Sequence, residues 1–287
     1  MNTNIFKQSA SIFKDNVMMI IQPLCLWALV SMFVAMPLYT KKGIDLGFIF
    51  ASSILVLCFI TFLAGWYYCI KLTIANKNKD FETPEEKNLA QLGILKNFFV
   101  GVGEYILPVG IATILYGGIS YGLFVGYKYI AIQAFNNVKI PDEFIKLIGT
   151  GSQEQITQYI QTLSTDQLAT LSGVMFGGII IYFLFEICIL WYGPTLFYTT
   201  KNPIAALFKA IVFTFKNFFT SIMIVVVMGV LNMIISFSNL FFGNSFLLFI
   251  PMMLSLMYFV YYVLTVFLYY EQTQNISPVG AKFDRQV

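Results

Sequence analysis

The sequence contains no histidine and few charged residues. Only 11% of its 287 residues are charged, whereas soluble globular chains average ~25%. Without histidine the chain lacks the commonest general base and a frequent ligand of zinc and haem. The net charge of +3 is too small for a surface that binds nucleic acid. We therefore expect no histidine-dependent chemistry and no nucleic-acid partner.

Disulfide patterns and catalytic motifs are missing as well. The four cysteines lie inside apolar runs without a Cys-x-x-Cys pair, so we interpret them as apolar residues. No phosphate-binding loop occurs. Gly101-Val102-Gly103-Glu104 is similar to the Gly-x-Gly-Asp motif of intramembrane aspartyl proteases, but it carries glutamate in place of the aspartate. We predict that the protein has no catalytic residue, no metal site and no cofactor, and that it is not an enzyme.

Long apolar runs make up most of the remaining sequence. Hydrophobic residues account for 58% of the chain and aromatic residues for 17%. A helix needs ~20 mostly apolar residues to cross the hydrocarbon core. Six runs are long enough, approximately 17–38, 46–70, 98–126, 173–192, 218–237 and 245–270. We predict an all-α polytopic membrane protein in which residues 1–287 form a single integral membrane domain with six transmembrane helices.

Two connections between these runs have an informative composition. Small polar residues between spans five and six predict a tight hairpin; they are Ser236, Ser238, Asn239, Gly243, Asn244 and Ser245. The longest connection, 128–172, has helix-start signals at Pro141 and Ser152, each followed by apolar residues at helical spacing. We predict two short helices there, which rest on the membrane or cap the bundle rather than bind a dedicated ligand.

Lysine and arginine residues are unevenly divided between the two sides of such a six-span chain. Twelve of the 17 fall on the side of the two termini and of the connections 71–97 and 193–217. Cytoplasmic loops carry an excess of lysine and arginine. We therefore predict a multi-pass protein of the cell membrane with both termini in the cytoplasm and the 128–172 loop outside.

A short helical pattern precedes spans one, three and five. Each copy contains a lysine near its end and closes on an asparagine, namely Asn16, Asn97 or Asn217. The apolar residues recur at helical spacing, as expected for an amphipathic helix that lies in the membrane interface. Spans two, four and six end in similar tyrosine-containing runs. We predict three interfacial amphipathic helices that turn sharply at these asparagines, and hence three weak helix-hairpin repeats.

This combination of motifs resembles the YciC-like family of bacterial membrane proteins and the membrane domain that precedes some glycerophosphodiester phosphodiesterases. The likeness is clearest over 205–219 and in the closing run 248–270. The resemblance implies a six-span membrane domain without assigned catalysis. The phosphodiesterase catalytic domain has no counterpart in this sequence, so no catalytic residue carries over.

Two glutamates, Glu104 and Glu186, are the charged residues that fall inside the predicted spans. Each lies about six residues from the same predicted membrane side, which places it ~9 Å deep at 1.5 Å per residue. A carboxylate at that depth is costly and marks a functional site by default. We predict that the two are neighbours that share a proton or are neutralised by Lys71, Lys96 or Lys216. A structural glutamate bonded to a tyrosine, a lysine or the backbone is the alternative.

Glycines at a spacing of four form small-residue stripes on spans three and four. The stripes consist of Gly118, Gly122, Gly126, Gly173 and Gly177. Small residues let helix backbones approach closely in lipid. We predict that these glycines pack spans three and four together; a seam between two copies of the chain is the alternative.

The sequence favours an integral inner-membrane protein with an accessory, envelope-maintenance or scaffold role. The alternative is a small transporter or channel for a polar solute, cation or lipid that uses Glu104 and Glu186. A bundle core filled by phenylalanine would favour the first function, and a polar-lined cavity between spans three and four would favour the second. The expected partners are the lipid bilayer and either a second copy of the chain or another membrane protein.

Overall fold

The structure is a computed structural model that describes residues 4–34, 46–77, 83–138, 158–241 and 249–274. All its regular elements within these ranges are helices. They are α1 (Asn4–Asp15), α2 (Ile21–Val34), α3 (Leu46–Ala75), α4 (Pro84–Lys96), α5 (Phe98–Asn137), α6 (Thr165–Ile189), α7 (Tyr192–Tyr198), α8 (Pro203–Lys216), α9 (Phe218–Phe241) and α10 (Phe249–Thr273). The short 3₁₀ helix Val17–Ile20 lies between α1 and α2.

Several of these helices are long and apolar enough to cross a membrane. Within the described ranges five meet this condition, or six if α1 and the bent segment that follows it count as one span. The backbone polar groups of such helices are satisfied internally, which the hydrocarbon core requires. The prediction of an all-α polytopic membrane protein is confirmed.

Three helices extend beyond the predicted spans. α5 continues to Asn137 instead of ending at Gly126, α6 begins at Thr165 instead of Gly173, and α9 continues to Phe241. The two ends of the 128–172 segment are therefore continuations of α5 and α6. The extra turns of these two helices are stabilised by packing, because Phe135 on α5 is buried against Leu171 on α6 and the nearby Leu163.

The structure describes only some of the residues at which turns and further helix starts were predicted. Ser236, Ser238 and Asn239 lie within α9, so the predicted hairpin does not begin at them. Gly243, Asn244 and Ser245 lie outside the described residues, as do the helix starts predicted at Pro141 and Ser152.

The asparagines at the ends of α1, α4 and α8 make equivalent hydrogen bonds. The side-chain amide of each donates to the carbonyl four residues earlier, over 2.9 Å for Asn16, 2.9 Å for Asn97 and 3.1 Å for Asn217. Their own carbonyls accept from the amides of Met19, Gly101 and Ser221 at the start of the next helix. Each asparagine thus caps one helix and begins the next.

The chain direction changes differently at the three asparagines. The axes before and after Asn16 differ by 86°. Asn217, with φ −118° and ψ 32°, separates α8 from α9. At Asn97 the predicted sharp turn is wrong: φ is −71° and ψ −3°, close to helical values, and one helical segment runs through it from Glu85 to Asn137.

The three pre-span helices also differ in how much of their surface they bury. α1 buries Ile5, Ser9 and Ile12 along one face, and α8 likewise buries one face. Among the described side chains of α4, Ile94 is buried whereas Leu89 and Leu92 are exposed, so this helix packs less of its surface against the protein than α1 and α8 do; its predicted position in the membrane interface stays a prediction. Its good N-terminal cap, in which Thr83 accepts from the amide of Glu86 over 3.2 Å, fixes where the helix starts but not which face it buries.

The chain forms two compact units. The first comprises Met1–Thr113 and Ile187–Val287 and contains the larger core. In it α10 contacts α1, α3, α7 and α9. Trp66, Trp191, Phe267 and Tyr270 are its largest buried aromatic side chains. The second unit, Ile114–Glu186, has its own small cluster around Phe135.

Candidate functional site

Glu104, the first predicted site residue, lies beside a lysine that the sequence did not indicate. Its Oε2 is 2.9 Å from Lys201 Nζ, and the two side chains are 43% and 56% exposed. Lys201 precedes the N-cap Asn202, whose side chain accepts from the first amides of α8 and so fixes this turn. The structure pairs Glu104 with Lys201, and not with Lys71, Lys96 or Lys216 as expected.

Lys71 is held close by through a backbone carbonyl. Its Nζ donates to the carbonyl oxygen of Phe197, at the end of α7, over 2.8 Å. The Tyr105 hydroxyl also donates to this oxygen, over 3.4 Å, while its ring stacks on the Phe197 ring with centroids 4.2 Å apart. The end of a helix has carbonyls without helical partners, so a lysine here stabilises it.

We refer to Lys71, Glu104, Tyr105 and Lys201 as the lysine–glutamate cluster. Both lysines also lie near the aromatic face of Tyr105, with Nζ 6.0 Å and 4.9 Å from the ring centroid. The cluster joins α3, α5 and the α7–α8 connection. Two cations, one anion and a tyrosine can hold a negatively charged group or simply fix these helices together, and they provide no nucleophile–base pair.

Glu186, the second predicted site residue, has tyrosine partners. The hydroxyl of Tyr116 donates to Glu186 Oε1 over 3.3 Å, and the Tyr116 ring stacks on that of Phe185. These contacts lie within the second unit. They match the structural alternative, in which a carboxyl group at membrane depth is satisfied by hydrogen bonds.

Glu104 and Glu186 therefore have different partners and belong to different compact units. Lys201 neutralises the first, and Tyr116 satisfies the second. Their predicted proximity, and with it the shared proton, stays a prediction.

The predicted glycine stripes have few neighbours. A Cβ atom added at Gly118, Gly122, Gly126 or Gly173 would meet no atom of the described structure within 4 Å. One at Gly177 would lie 3.3 Å from the hydroxyl of Tyr127, which itself donates to the carbonyl of Val174. The role of the stripes in helix packing stays a prediction.

The close approaches that the structure does show involve two other glycines. A Cβ at Gly65 on α3 would overlap the ring of Phe98, and one at Gly101 on α5 would overlap the Cβ of Tyr68. α3 and α5 can therefore approach this closely only because both positions lack a side chain. The sequence shows that Gly65 and Gly101 lie within long apolar helices, which permits a close helix contact at either position. Their spacing does not distinguish them from the other glycines of these helices.

A second ion pair was also missed by sequence reasoning. Lys77 Nζ lies 2.7 Å from Glu271 Oε2, and the two side chains are only 21% and 6% exposed. Lys77 and Glu271 each follow a tyrosine-containing apolar run in the sequence. Their opposite charges at these corresponding positions could have predicted the ion pair. The pair joins the ends of α3 and α10.

No group of histidine, cysteine, aspartate and glutamate side chains within the described ranges could hold a metal ion. The cysteines are free, and the Cys69 thiol donates to the carbonyl of Ile94 over 3.3 Å. Comparison of the chain with protein-family models, with curated proteins and with solved structures finds no match. Function must therefore be inferred from the geometry.

Proposed function

We propose that this protein is a non-catalytic multi-pass protein of a bacterial inner membrane, with an accessory or scaffold role in the envelope. The observation that supports this most directly is the aromatic core of the first unit. We expected a core filled by phenylalanine of a scaffold rather than of a transporter, and in this core tryptophan and tyrosine side chains accompany the phenylalanines.

In this core each aromatic ring contacts the next, so that the rings form a continuous packed cluster. The ring of Trp66 stacks on those of Phe62 and Phe259, with centroids 5.4 Å and 5.0 Å apart. Trp191 lies 5.0 Å from Phe213 and donates to Ser221 Oγ over 2.8 Å. Close-packed interiors of this kind resist rearrangement.

Charged groups at one end of the first unit add to this rigidity. The lysine–glutamate cluster fixes the α7–α8 connection, and Lys77 with Glu271 joins the ends of α3 and α10. We place this end, with both termini, in the cytoplasm, because most lysines and arginines of the chain fall on that side. The equivalent asparagine caps support three related helix-hairpin units and the resemblance to YciC-like proteins.

A second function, transport of a polar solute, cation or lipid, has one observation in its favour. The Glu104–Lys201 pair is about half exposed, so little free energy is needed to open it. A transported cation could then replace the lysine on Glu104.

A flux assay on reconstituted vesicles separates the two functions. Purified protein would be placed in liposomes, and the fluxes of K⁺, H⁺ and a fluorescent phospholipid measured. We expect rates equal to those of protein-free vesicles, because closely packed aromatic rings leave little room for a solute between the helices. The comparison set is wild type, the Glu104→Gln/Glu186→Gln double variant and an exposed control, Glu85→Gln.

The scaffold proposal would be overturned by a protein-dependent flux that the double variant abolishes and the Glu85→Gln control retains. A flux that both variants retain would also contradict it, but would assign the path to other residues.

A further inference from the structure

A polar pocket of about 260 Å³ lies among α1, α3 and α4 in the first unit. Its lining includes Thr73, Asn76, Lys77, Lys87, Gln91 and Asp15. The Nζ of Lys87 lies 2.7 Å from Asp15 Oδ1, with side chains 39% and 53% exposed. The Gln91 side-chain amide donates to the backbone carbonyl of Asp15. The pocket therefore presents a cation and an anion side by side, surrounded by amide groups.

An apolar groove of about 590 Å³ lies along α2, α3 and the start of α5 in the same unit. Ile21, Leu29, Ile54, Leu57 and Phe98 are among the side chains that line it. Its volume is within the ~300–1,000 Å³ typical of small-molecule sites. The groove lies along helices that the six-span topology places in the membrane, so we expect lipid rather than water around it.

The pocket and the groove lie at different levels of α3. Thr73 lines the pocket, and Phe62, the first groove residue on the same helix, is ~16 Å from it at 1.5 Å per residue. Cys69 lies between them and lines a narrow gap of about 10 Å³, and Gln22 of the groove donates to its sulfur over 3.5 Å. The groove extends along α3 from Phe62 to Ile54, which is ~12 Å. Half of a bilayer's hydrocarbon core is ~15 Å thick, so the groove can hold most of an acyl chain's length.

The charges of the pocket favour one kind of head group. An exposed ion pair such as Lys87–Asp15 contributes at most ~1 kcal/mol, so a ligand can open it at small cost. The freed lysine could bind a phosphate and the freed aspartate an ammonium group. Lys77 is already neutralised by Glu271. The pocket is thus complementary to a zwitterion rather than to a multiply charged anion.

We propose that this pocket and groove together form a binding site for one phospholipid with a phosphoethanolamine head group. Its phosphate lies at Lys87, its ammonium group lies at Asp15, and one acyl chain follows the groove past Gln22. The site goes beyond the scaffold role and requires no flux through the protein. A bound lipid joins α1, α2, α3 and α4 where the chain bends.

Native mass spectrometry of the full chain from micelles containing equimolar phosphatidylethanolamine and phosphatidylglycerol tests the site. We expect wild type to retain one phosphatidylethanolamine in preference to phosphatidylglycerol. The Asp15→Asn/Lys87→Gln variant, which keeps the net charge, should lose that lipid by about tenfold, since it removes two charged contacts. Cys58→Phe places a larger side chain in the groove and leaves the pocket unchanged, and it should also reduce the retained phosphatidylethanolamine by about tenfold.

Two matched controls make the result specific. Lys209→Gln removes a lysine from another pre-span helix, and Ile179→Phe enlarges an exposed apolar side chain on α6. Both should retain the lipid, and circular dichroism should show every variant as helical as wild type. The site would be refuted if wild type retained no lipid, if it preferred phosphatidylglycerol, or if the pocket and groove variants retained as much phosphatidylethanolamine as the controls. Because no flux is measured, the outcome is separate from that of the vesicle assay.

Discussion

Two ion pairs of the first unit, Lys77–Glu271 and Lys201–Glu104, show how burial changes what an ion pair contributes to stability. Lys201 and Glu104 are about half exposed, and such pairs contribute ~0–1 kcal/mol. Glu271 is nearly inaccessible, so its carboxylate depends on Lys77. Removing one partner of a buried pair leaves an uncompensated charge in a medium that solvates it poorly.

We expect Lys77→Met to lower the free energy of unfolding by about 3–5 kcal/mol and Lys201→Met by at most ~1 kcal/mol. SDS-driven unfolding, followed by circular dichroism, measures both. The double variant Lys77→Met/Glu271→Met should recover most of the loss, because it removes the orphaned charge as well. Equal losses for the two single variants would contradict this assignment.

At the scale of elements, packing between helices depends on where a side chain would collide rather than on how glycines are spaced. The stripe on α5 has a regular spacing but open surroundings, whereas Gly65 and Gly101 lie against Phe98 and Tyr68. A spacing rule identifies faces that permit contact, and it does not identify which face has a neighbour.

Gly101→Leu should therefore destabilise the protein, by about 1–3 kcal/mol or more, because the new side chain forces α3 and α5 apart. Gly118→Leu makes the same change on the same helix and should alter the free energy of unfolding by less than ~0.5 kcal/mol. The same SDS titration compares them. If Gly118→Leu proved as harmful as Gly101→Leu, the stripe would have a contact beyond those described.

The helices of this protein were predictable from sequence because their signals are local. Runs of apolar residues, the Thr83 and Asn202 caps and the lysine–asparagine endings each act within a few residues. The partners of the two glutamates were not predictable, since Lys201 and Glu104 are brought together only by helix packing. Helix length was also underestimated where packing around Phe135 continues α5 beyond its apolar run.

For the whole molecule, the lysine and arginine distribution predicts the orientation in the membrane. We expect reporter fusions at both ends of the chain to be active only as cytoplasmic reporters, and a fusion near residue 150 only as an external one. An external C-terminus, or termini on opposite sides, would contradict the six-span topology. Neutralising Lys77, Lys87 and Lys96 together should reduce the proportion of correctly oriented protein.

The contact of α1 with α10 has a consequence for the order in which the protein is made. Tyr261 on α10 donates to the carbonyl of Phe6 on α1, and Gln272 on α10 donates to Gln8 on α1. α1, which is synthesised first, therefore packs against a helix that is synthesised last. At ~5–20 residues per second, synthesis of α10 follows that of α1 by roughly 10–50 s. During that interval α1 has α3 and α4 beside it but lacks α10, its main partner. The nascent chain therefore depends on lipid or on the insertion machinery to cover the part of α1 that packs against α10, and arrest of translation before α10 should leave α1 sensitive to protease.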